Sequence, residues 1–410
     1  MLAKTLEPRR FIAGGARQWS PQVRCAPCDG PPMKDSLPSA FTDLRMIATL
    51  HASLQEQGFV TPTEIQRRAL PALLAGRSVV GVAETGGGKT LAYVLPVLHA
   101  LKTLEASGQP VAADATPRAA VIVPTRELGD QVTRVFKRFT HATRLRVRSV
   151  LGGSTMEVAR RNIQGQFDVL VATPGRLIKL LERNLVDLAD VRVLVFDEVD
   201  QMLDPGFLPD AERIVGACPP ARQLALFSAT VPPAVQDLIG KLFVGAEVIR
   251  SDGSHRVVPS LTTINRTVHG GKRLPILRTI LADAVTGGTL IFANTRGQCD
   301  QVAADLREMG RTCVVYRGEM DKNERRANLK AFRDGTVDLL VSTDLAARGL
   351  DVEHVGRVIN YHLPEEVDAY LHRVGRTARA GRPGVVINLV TERDHALLGA
   401  LERAGAAPRK

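Results

Sequence analysis

The sequence predicts an α/β protein of two tandem domains, each a mainly parallel sheet flanked by helices, with a cleft between them. Three observations carry that prediction. At 410 residues the chain exceeds what one hydrophobic core usually serves. Short apolar runs of Val, Leu, Ile and Phe alternate along it with amphipathic helical stretches, as in sheets buried on both faces. A polar segment with Gly and Pro, residues 250–260, interrupts the alternation and reads as an interdomain linker.

Residues 1–38 are rich in Pro, Gly and Arg, show neither helical nor strand period, and read as a disordered or non-core extension. An organelle-targeting leader, a basic nucleic-acid-binding arm and a stretch upstream of a true start at Met33 are the competing readings. Glu7 and Asp29 break the basic character, which favours the last of these or plain disorder. The first domain is read as residues 39–249, with strands in "SVVGVA", "AAVIVPT", "DVLVAT", "VRVLVFDE" and "QLALFSAT". Each run ends in polar or small residues, and in parallel sheets ligands gather beyond such carboxyl ends. The second domain, residues 261–396, resumes with "TLIFANT", "TCVVYRG", "VDLLVSTD", "RVINYH" and "GVVINLV", separated by helices such as Gly297–Met309 and Asn323–Phe332. Residues 397–410 read as a short tail.

Composition narrows the function classes. With 44% hydrophobic and 24% charged residues the chain resembles ordinary globular proteins, and its net charge of +11 favours a polyanionic partner, nucleic acid first. No apolar stretch is long enough to cross a bilayer and no secretory signal is visible, so a cytoplasmic protein without membrane contact is expected. Of five cysteines only Cys25 and Cys28 stand at C-x-x-C spacing, half of a zinc site at most. Cys218, Cys299 and Cys313 read as reduced core thiols.

Chemistry concentrates in a few places. After the strand ending near Ala83 comes "AETGGGKT", Ala83 to Thr90, too glycine-rich for helix or strand, followed by a helix from Lys89; Gly81 is fortuitous to the pattern. Bare backbone N–H groups and a helix N-terminus suit a phosphate chain, with Lys89 reaching the β- and γ-phosphates and Thr90 helping to hold Mg²⁺. "VRVLVFDEVD" supplies Asp197 for the metal, through water, and Glu198 to orient or deprotonate an attacking water. Nucleoside triphosphate hydrolysis follows from the pairing. In "YLHRVGRTARAGR", Arg376 and Arg379 stand three apart and can share a face as cations for a transferring phosphoryl group; a solvated or nucleic-acid-binding face is the alternative on spacing alone.

Taken in order, these elements resemble DEAD-box ATP-dependent RNA helicases of superfamily two over nearly all of Phe41 to about Val390. "TPTEIQ" with Gly58-Phe59 and the isolated Phe41 resembles the Q motif, "AETGGGKT" motif I, "PTREL" motif Ia, Gly152-Gly153 the glycine pair and "TPGR" motif Ib. "DEVD", Asp197 to Asp200, resembles motif II, and "SAT", Ser228 to Thr230, motif III; "LIFANT", "STDLAARGLD" and "HRVGRTAR" resemble motifs IV, V and VI. The resemblance implies two RecA-like domains and an RNA-dependent ATPase and helicase, with ATP and Mg²⁺ as cofactors. It implies adenine recognition by Gln66 with Phe59 against the base, and nucleotide contacts from Ala83, Glu84, Thr85, Gly86, Gly87, Gly88, Lys89, Thr90 and the ribose-binding Asp351. Asp200, Ser228 and Thr230 would couple the ATP site to domain closure, and Arg376 and Arg379 would be arginine fingers. RNA backbone would run over Thr125, Arg126, Gly153, Thr173 and Arg176, and over Thr295, Arg325 and Thr343.

Val199 replaces the alanine that names the family, Glu84 and Gly87 stand in place of glutamine and a hydroxyl residue, Lys322 in place of a glutamine, and Ala378 in place of a glycine. The last matters only if that backbone needs positive φ. With aromatics at 4%, stacking platforms are scarce, so RNA contacts should be sequence-independent and salt-sensitive. The expected cycle has ATP and RNA closing the domains on one bent strand, with local, non-processive disruption of a short duplex and reopening after hydrolysis. The alternatives are an ATP-dependent RNA clamp with little turnover and a DNA helicase of the same superfamily. A monomer is the default, and specificity for a particular RNA would come from protein partners, because no basic tail or appended module is apparent.

Overall fold

The computed structural model describes residues 37–84, 86–111, 113–153, 155–202, 206–251, 261–347, 352, 354–378 and 383–403. In the N-terminal half seven strands form one sheet: β1 (Val79–Val82), β2 (Ala119–Ile122), β3 (Val147–Val150), β4 (Val169–Ala172), β5 (Val193–Asp197), β6 (Gln223–Ser228) and β7 (Glu247–Arg250). Their order is β3-β4-β2-β5-β6-β1-β7, every pair parallel. The C-terminal half adds β8 (Leu261–Thr267), β9 (Gly288–Phe292), β10 (Val314–Tyr316), β11 (Leu339–Ser342), β12 (Val355–Asn360) and β13 (Gly384–Val390). They pair, again all parallel, in the order β10-β11-β9-β12-β13-β8. The second sheet therefore repeats the winding of the first, strand for strand, and lacks only a counterpart of β7.

Alternation along the strands puts a core on each face. Val79, Val121, Val195 and Phe227 pack on one side of the first sheet, and Val80, Ile122, Phe196 and Leu226 on the other. Residues buried on both sides are why these strands appear in the sequence as unbroken apolar runs. β3, β7 and β8 were not singled out by that signal, and all three are sheet edges. Each exposes polar residues, including Arg148 in β3, Glu247 and Arg250 in β7, and Thr262 and Arg266 in β8. Gly81 has a packing reason of its own: it stands opposite Phe227, and a Cβ there would lie 2.5 Å from the ring.

Two boundaries differ from the sequence reading. Arg250, read as the first linker residue, ends β7, and the Ser251 N–H still donates to the Val82 carbonyl at 3.0 Å. Residues 397–403, read as tail, belong to the helix His395–Arg403, whose Leu397 and Leu401 are buried in the core of the C-terminal half. An apolar pair four apart on a helix gives that segment a face to bury. The expected linker at 252–260, the extension at 1–36, with Cys25 and Cys28, and residues 404–410 lie outside the described residues. Cys218, Cys299 and Cys313 are buried and unpaired, and burial pushes the first two thiols up to about 12. No helix among the described residues is long and apolar enough to cross a membrane.

Candidate functional site

Between β1 and the helix Lys89–Ala106 the chain makes the glycine loop. Gly86 and Gly88 have φ of +86° and +89°, the left-handed region that glycine enters without a Cβ penalty. At Gly88 a Cβ would also lie 2.6 Å from Gln66 Nε2 and 2.8 Å from Thr63 Oγ1. Lys89 is buried, and its Nζ donates to the carbonyl oxygens of Ala83 at 2.6 Å and Glu84 at 3.2 Å, so the loop wraps the ammonium group. Thr90 follows on the first helical turn. The helix Glu64–Leu74 is fastened to the loop from outside. Gln66 Nε2 donates to the Gly88 carbonyl at 2.9 Å, Thr63 Oγ1 donates to the Gly87 carbonyl at 2.7 Å, and Gln66 Oε1 accepts from the Thr63 N–H at 2.9 Å. Gln66, to which the resemblance assigns the adenine, braces the loop in this structure. Phe59, half-buried, packs on the adjoining core.

β5 delivers the acidic groups. Asp197, its last residue, is 2% exposed. Its Oδ2 accepts from the Tyr93 hydroxyl at 2.7 Å, whereas Oδ1 is buried with no partner among the described residues. Burial first, and the neighbouring Glu198 charge second, raise the Asp197 carboxyl to about 7 against the opposing pull of Lys89. Glu198 is buried at φ +52°, an uncommon conformation for a residue with a Cβ, and its Oε2 accepts from Gln201 Nε2 at 2.5 Å.

Asp200 sits in a knot that joins β5 to β6. Its N–H donates to Ser228 Oγ at 3.2 Å, and that hydroxyl donates to the Thr230 carbonyl at 2.7 Å. Asp200 Oδ2 accepts from the Thr230 N–H at 3.0 Å and hydroxyl at 3.1 Å. The same oxygen lies 3.5 Å from Nε2 of His372, on the helix Val367–Val374 of the C-terminal half. Burial alone would raise this carboxyl, but the His372 contact, with help from Lys89 and Thr230, holds it down at about 2.

Arg376 is 3% exposed just after the helix Val367–Val374, whereas Thr85, Asp351 and Arg379 lie outside the described residues, as does the side chain of Lys322. Arg373, to which the sequence motifs assign no role, is 1% exposed and bonded through Nε, Nη1 and Nη2. It donates to Asp344 Oδ1 and Oδ2 at 2.5 and 2.6 Å, to Asn294 Oδ1 at 2.9 Å, to Asn360 Oδ1 at 3.1 Å and to the His362 carbonyl at 2.6 Å. It thereby ties together the carboxyl ends of β9, β11 and β12. In a run of closely spaced arginines only burial tells which turn inward, and both Arg373 and Arg376 do.

Four of the residues expected along RNA, all threonines, occupy matching places in the two halves. Thr125, Thr173 and Thr295 are the N-caps of the helices Arg126–Thr143, Pro174–Glu182 and Arg296–Glu308, and Thr343 precedes the helix Asp344–Ala347. They follow β2, β4, β9 and β11. Thr125 and Thr295 each accept from a backbone N–H three residues on, at 3.2 Å, a bond that fixes where the helix starts. Gly153 has φ +79°, Arg126 lies 3.7 Å from Asp130, and Arg176 Nη1 donates to Met156 Sδ at 2.8 Å. Arg325, on the helix Lys322–Arg333, is 3.4 Å from Glu127 Oε1 of the N-terminal half and lies over the Tyr316 ring at 4.6 Å. With Asp200–His372 this makes a second polar contact between the halves, and neither is visible in sequence spacing.

Residues 63–238 match the DEAD/DEAH box helicase family model, and residues 272–381 match the helicase conserved C-terminal domain. The ATP-dependent RNA helicase DeaD of Mycobacterium tuberculosis is 36% identical over 367 residues, 89% of this chain and 63% of that protein. The DEAD-box ATP-dependent RNA helicase RhpA of Helicobacter pylori is 36% identical over 353 residues, 86% of this chain and 70% of the relative. This chain belongs to the DEAD-box RNA helicase family. It spans just under two thirds, 63%, of the length of the Mycobacterium relative. Among solved structures, S. cerevisiae Dbp5 bound to RNA and ADP BeF3 is similar with a TM-score of 0.79 and 28% identity, over 91% of this chain and 95% of that one. The two sheets described above are the tandem RecA-like domains of DEAD-box helicases.

Proposed function

We propose that this DEAD-box protein is an RNA-dependent ATPase that clamps RNA and locally unwinds short duplexes without processive movement. The observation that carries the reading is a buried Lys89, held by its own glycine loop and close enough for its charge to act on Asp197, whose Oδ1 has no partner among the described residues. A carboxylate oxygen buried without a donor suits a hydrated divalent cation, so the residues fit Mg²⁺, which Thr90 and Asp197 would hold partly through water. Bound there, Mg²⁺ would neutralise charge on the β- and γ-phosphates.

In this reading Asp197-Glu198-Val199-Asp200 is a DEVD form of motif II, and Val199 is tolerated because its side chain is buried in the core away from the chemistry. Phe59 and Gln66 receive the adenine, and residues 83–90 cradle the phosphates with Lys89 as their cation. Glu198 orients the attacking water and accepts its proton. Asp351 receives the ribose, and Arg376 and Arg379 stabilise charge on the transferring phosphoryl group. Asp200, Ser228 and Thr230 relay the state of that site to the C-terminal half through His372. RNA backbone lies over Thr125, Arg126, Gly153, Thr173, Arg176, Thr295, Arg325 and Thr343, contacts that read phosphate and 2′-hydroxyl rather than base. Unpaired buried thiols suit a reducing cytoplasm, and we take the protein as a monomer whose target is chosen by protein partners.

The test is ATP hydrolysis by the purified protein with no nucleic acid, with single-stranded RNA and with matched DNA. Stimulation by RNA alone, lost in Lys89→Ala and Glu198→Gln, is the expected result. ATP-dependent RNA retention without stimulated turnover would replace this reading with a clamp, and stimulation by duplex DNA but not RNA would replace it with a DNA enzyme.

A further inference from the structure

We infer that the Tyr93 hydroxyl is a positioning group for the divalent cation, aiming the free oxygen of Asp197 at the metal; the inference rests on the reading of Thr90 and Asp197 as the cation's ligands. Tyr93 is 1% exposed, on the second turn of the helix that Lys89 and Thr90 begin. Its ring packs against Phe227 of β6, with centroids 5.5 Å apart, and its hydroxyl reaches Asp197 Oδ2 at 2.7 Å. The phenol thus comes from the same helix as Thr90 and reaches across to Asp197 at the end of β5, so the two expected ligands arrive from different elements.

A carboxylate can turn about its Cβ–Cγ bond, so an isolated Asp197 would present either oxygen in a range of directions. Anchoring Oδ2 from behind removes that freedom, and Oδ1 is the oxygen left without a partner. The anchor is neutral, so it orients the carboxylate without cancelling the charge that attracts the cation. Outer-shell donors of this kind typically change metal affinity or activity by about 10- to 100-fold when removed. Phenylalanine would fill the same ring volume against Phe227 and leave Oδ2 buried without a donor.

The measurement is the affinity for a fluorescent ADP (the N-methylanthraniloyl derivative), with excess Mg²⁺ and with EDTA, for the wild type, Tyr93→Phe and Asp197→Asn. Thermal melting of each variant accompanies it. The ratio of the two affinities reports what the metal adds to nucleotide binding. Tyr93→Phe should bind the metal-free nucleotide within about twofold of wild type and lose roughly 10-fold of the Mg²⁺-dependent gain. A purely packing role would lower both affinities together or lower only the melting temperature, and either result overturns the inference. If Asp197→Asn loses the gain and Tyr93→Phe keeps it, the inference fails while the nucleotide site stands. If the wild type binds no nucleotide, the proposed function fails and the inference falls with it.

Discussion

The two halves share one winding and differ in what stands at the carboxyl ends of their strands. β1 and β8 occupy the same position in the strand order, and each leads through glycines and a lysine into a helix: Gly86-Gly87-Gly88-Lys89 in the first half, Gly270-Gly271-Lys272 in the second. Gly270 and Gly271 also have positive φ, at +57° and +72°. Yet Lys89 is buried among loop carbonyls and Lys272 is exposed. β1 lies between β6 and β7, whereas β8 is an edge, and the Lys89 ammonium turns back onto the carbonyls of Ala83 and Glu84.

The contrast extends to β5 and its counterpart β12. β5 ends in a carboxylate, Asp197; β12 ends in Asn360, beneath the Arg373 guanidinium, and the nearby His362 is pushed down to about 4 by burial and then by Arg273 and Arg373. At this strand end one half therefore buries a carboxylate, and the other buries a guanidinium against a neutral amide. A duplicated backbone does not by itself duplicate a site, because depth of burial and charge at the strand ends are set residue by residue.

The largest effect expected from this contrast is kinetic. Lys89→Ala should reduce RNA-stimulated phosphate release by on the order of 100-fold or more, whereas Lys272→Ala should stay within about twofold of wild type. An equal loss in both variants would mean that the loops are functionally equivalent despite their different burial.

A smaller effect is expected at the seam between the halves. The Asp200 carboxyl is held at about 2, below its ordinary value, so the stabilisation from its charged form is fully present above about pH 4 and is lost as pH falls through about 2. Urea unfolding should find Asp200→Asn less stable than wild type by roughly 2 kcal/mol at pH 6, with the gap closing on acidification. A gap that persists unchanged at the acid end would show that the Thr230 bonds, rather than the charge facing His372, hold the knot together.

The smallest expected effect concerns strain. In the first half the left-handed turn at φ +89° is made by Gly88, but in the second Ala378 adopts φ +55°. Ala378→Gly should raise the stability of the second half by about 1 kcal/mol, seen as a higher melting temperature. A lower melting temperature would show that the Ala378 methyl contributes more in packing than the backbone conformation costs.

Much of the fold was legible because its central strands are buried on both sides, which writes an unbroken apolar run into the sequence for β1, β2, β4, β5 and β6. The edges β3, β7 and β8 carry arginine, glutamate, threonine and asparagine on their exposed sides, and no such run forms. In the site, the glycine loop with Lys89 and the acids after β5 were legible because local chain geometry and residue chemistry coincide there. Tyr93 was not, because its partner Asp197 is 104 positions away and nothing near Tyr93 announces it. Glu127 was hidden likewise behind its pairing with Arg325 in the other half. Ala378 is legible as a departure from the family's glycine, but only the backbone angle says that it carries strain.

By itself the sequence determined the α/β class, the glycine loop and the acids that face it, since these depend on local periodicity and on residue types that suit phosphate and metal. The tertiary structure decided which lysine is enclosed, which Asp197 oxygen lacks a partner, which arginines turn inward and where the halves touch. Those outcomes depend on groups brought together from distant parts of the chain and on how far each is removed from water, and neither quantity is a property of a short stretch of residues.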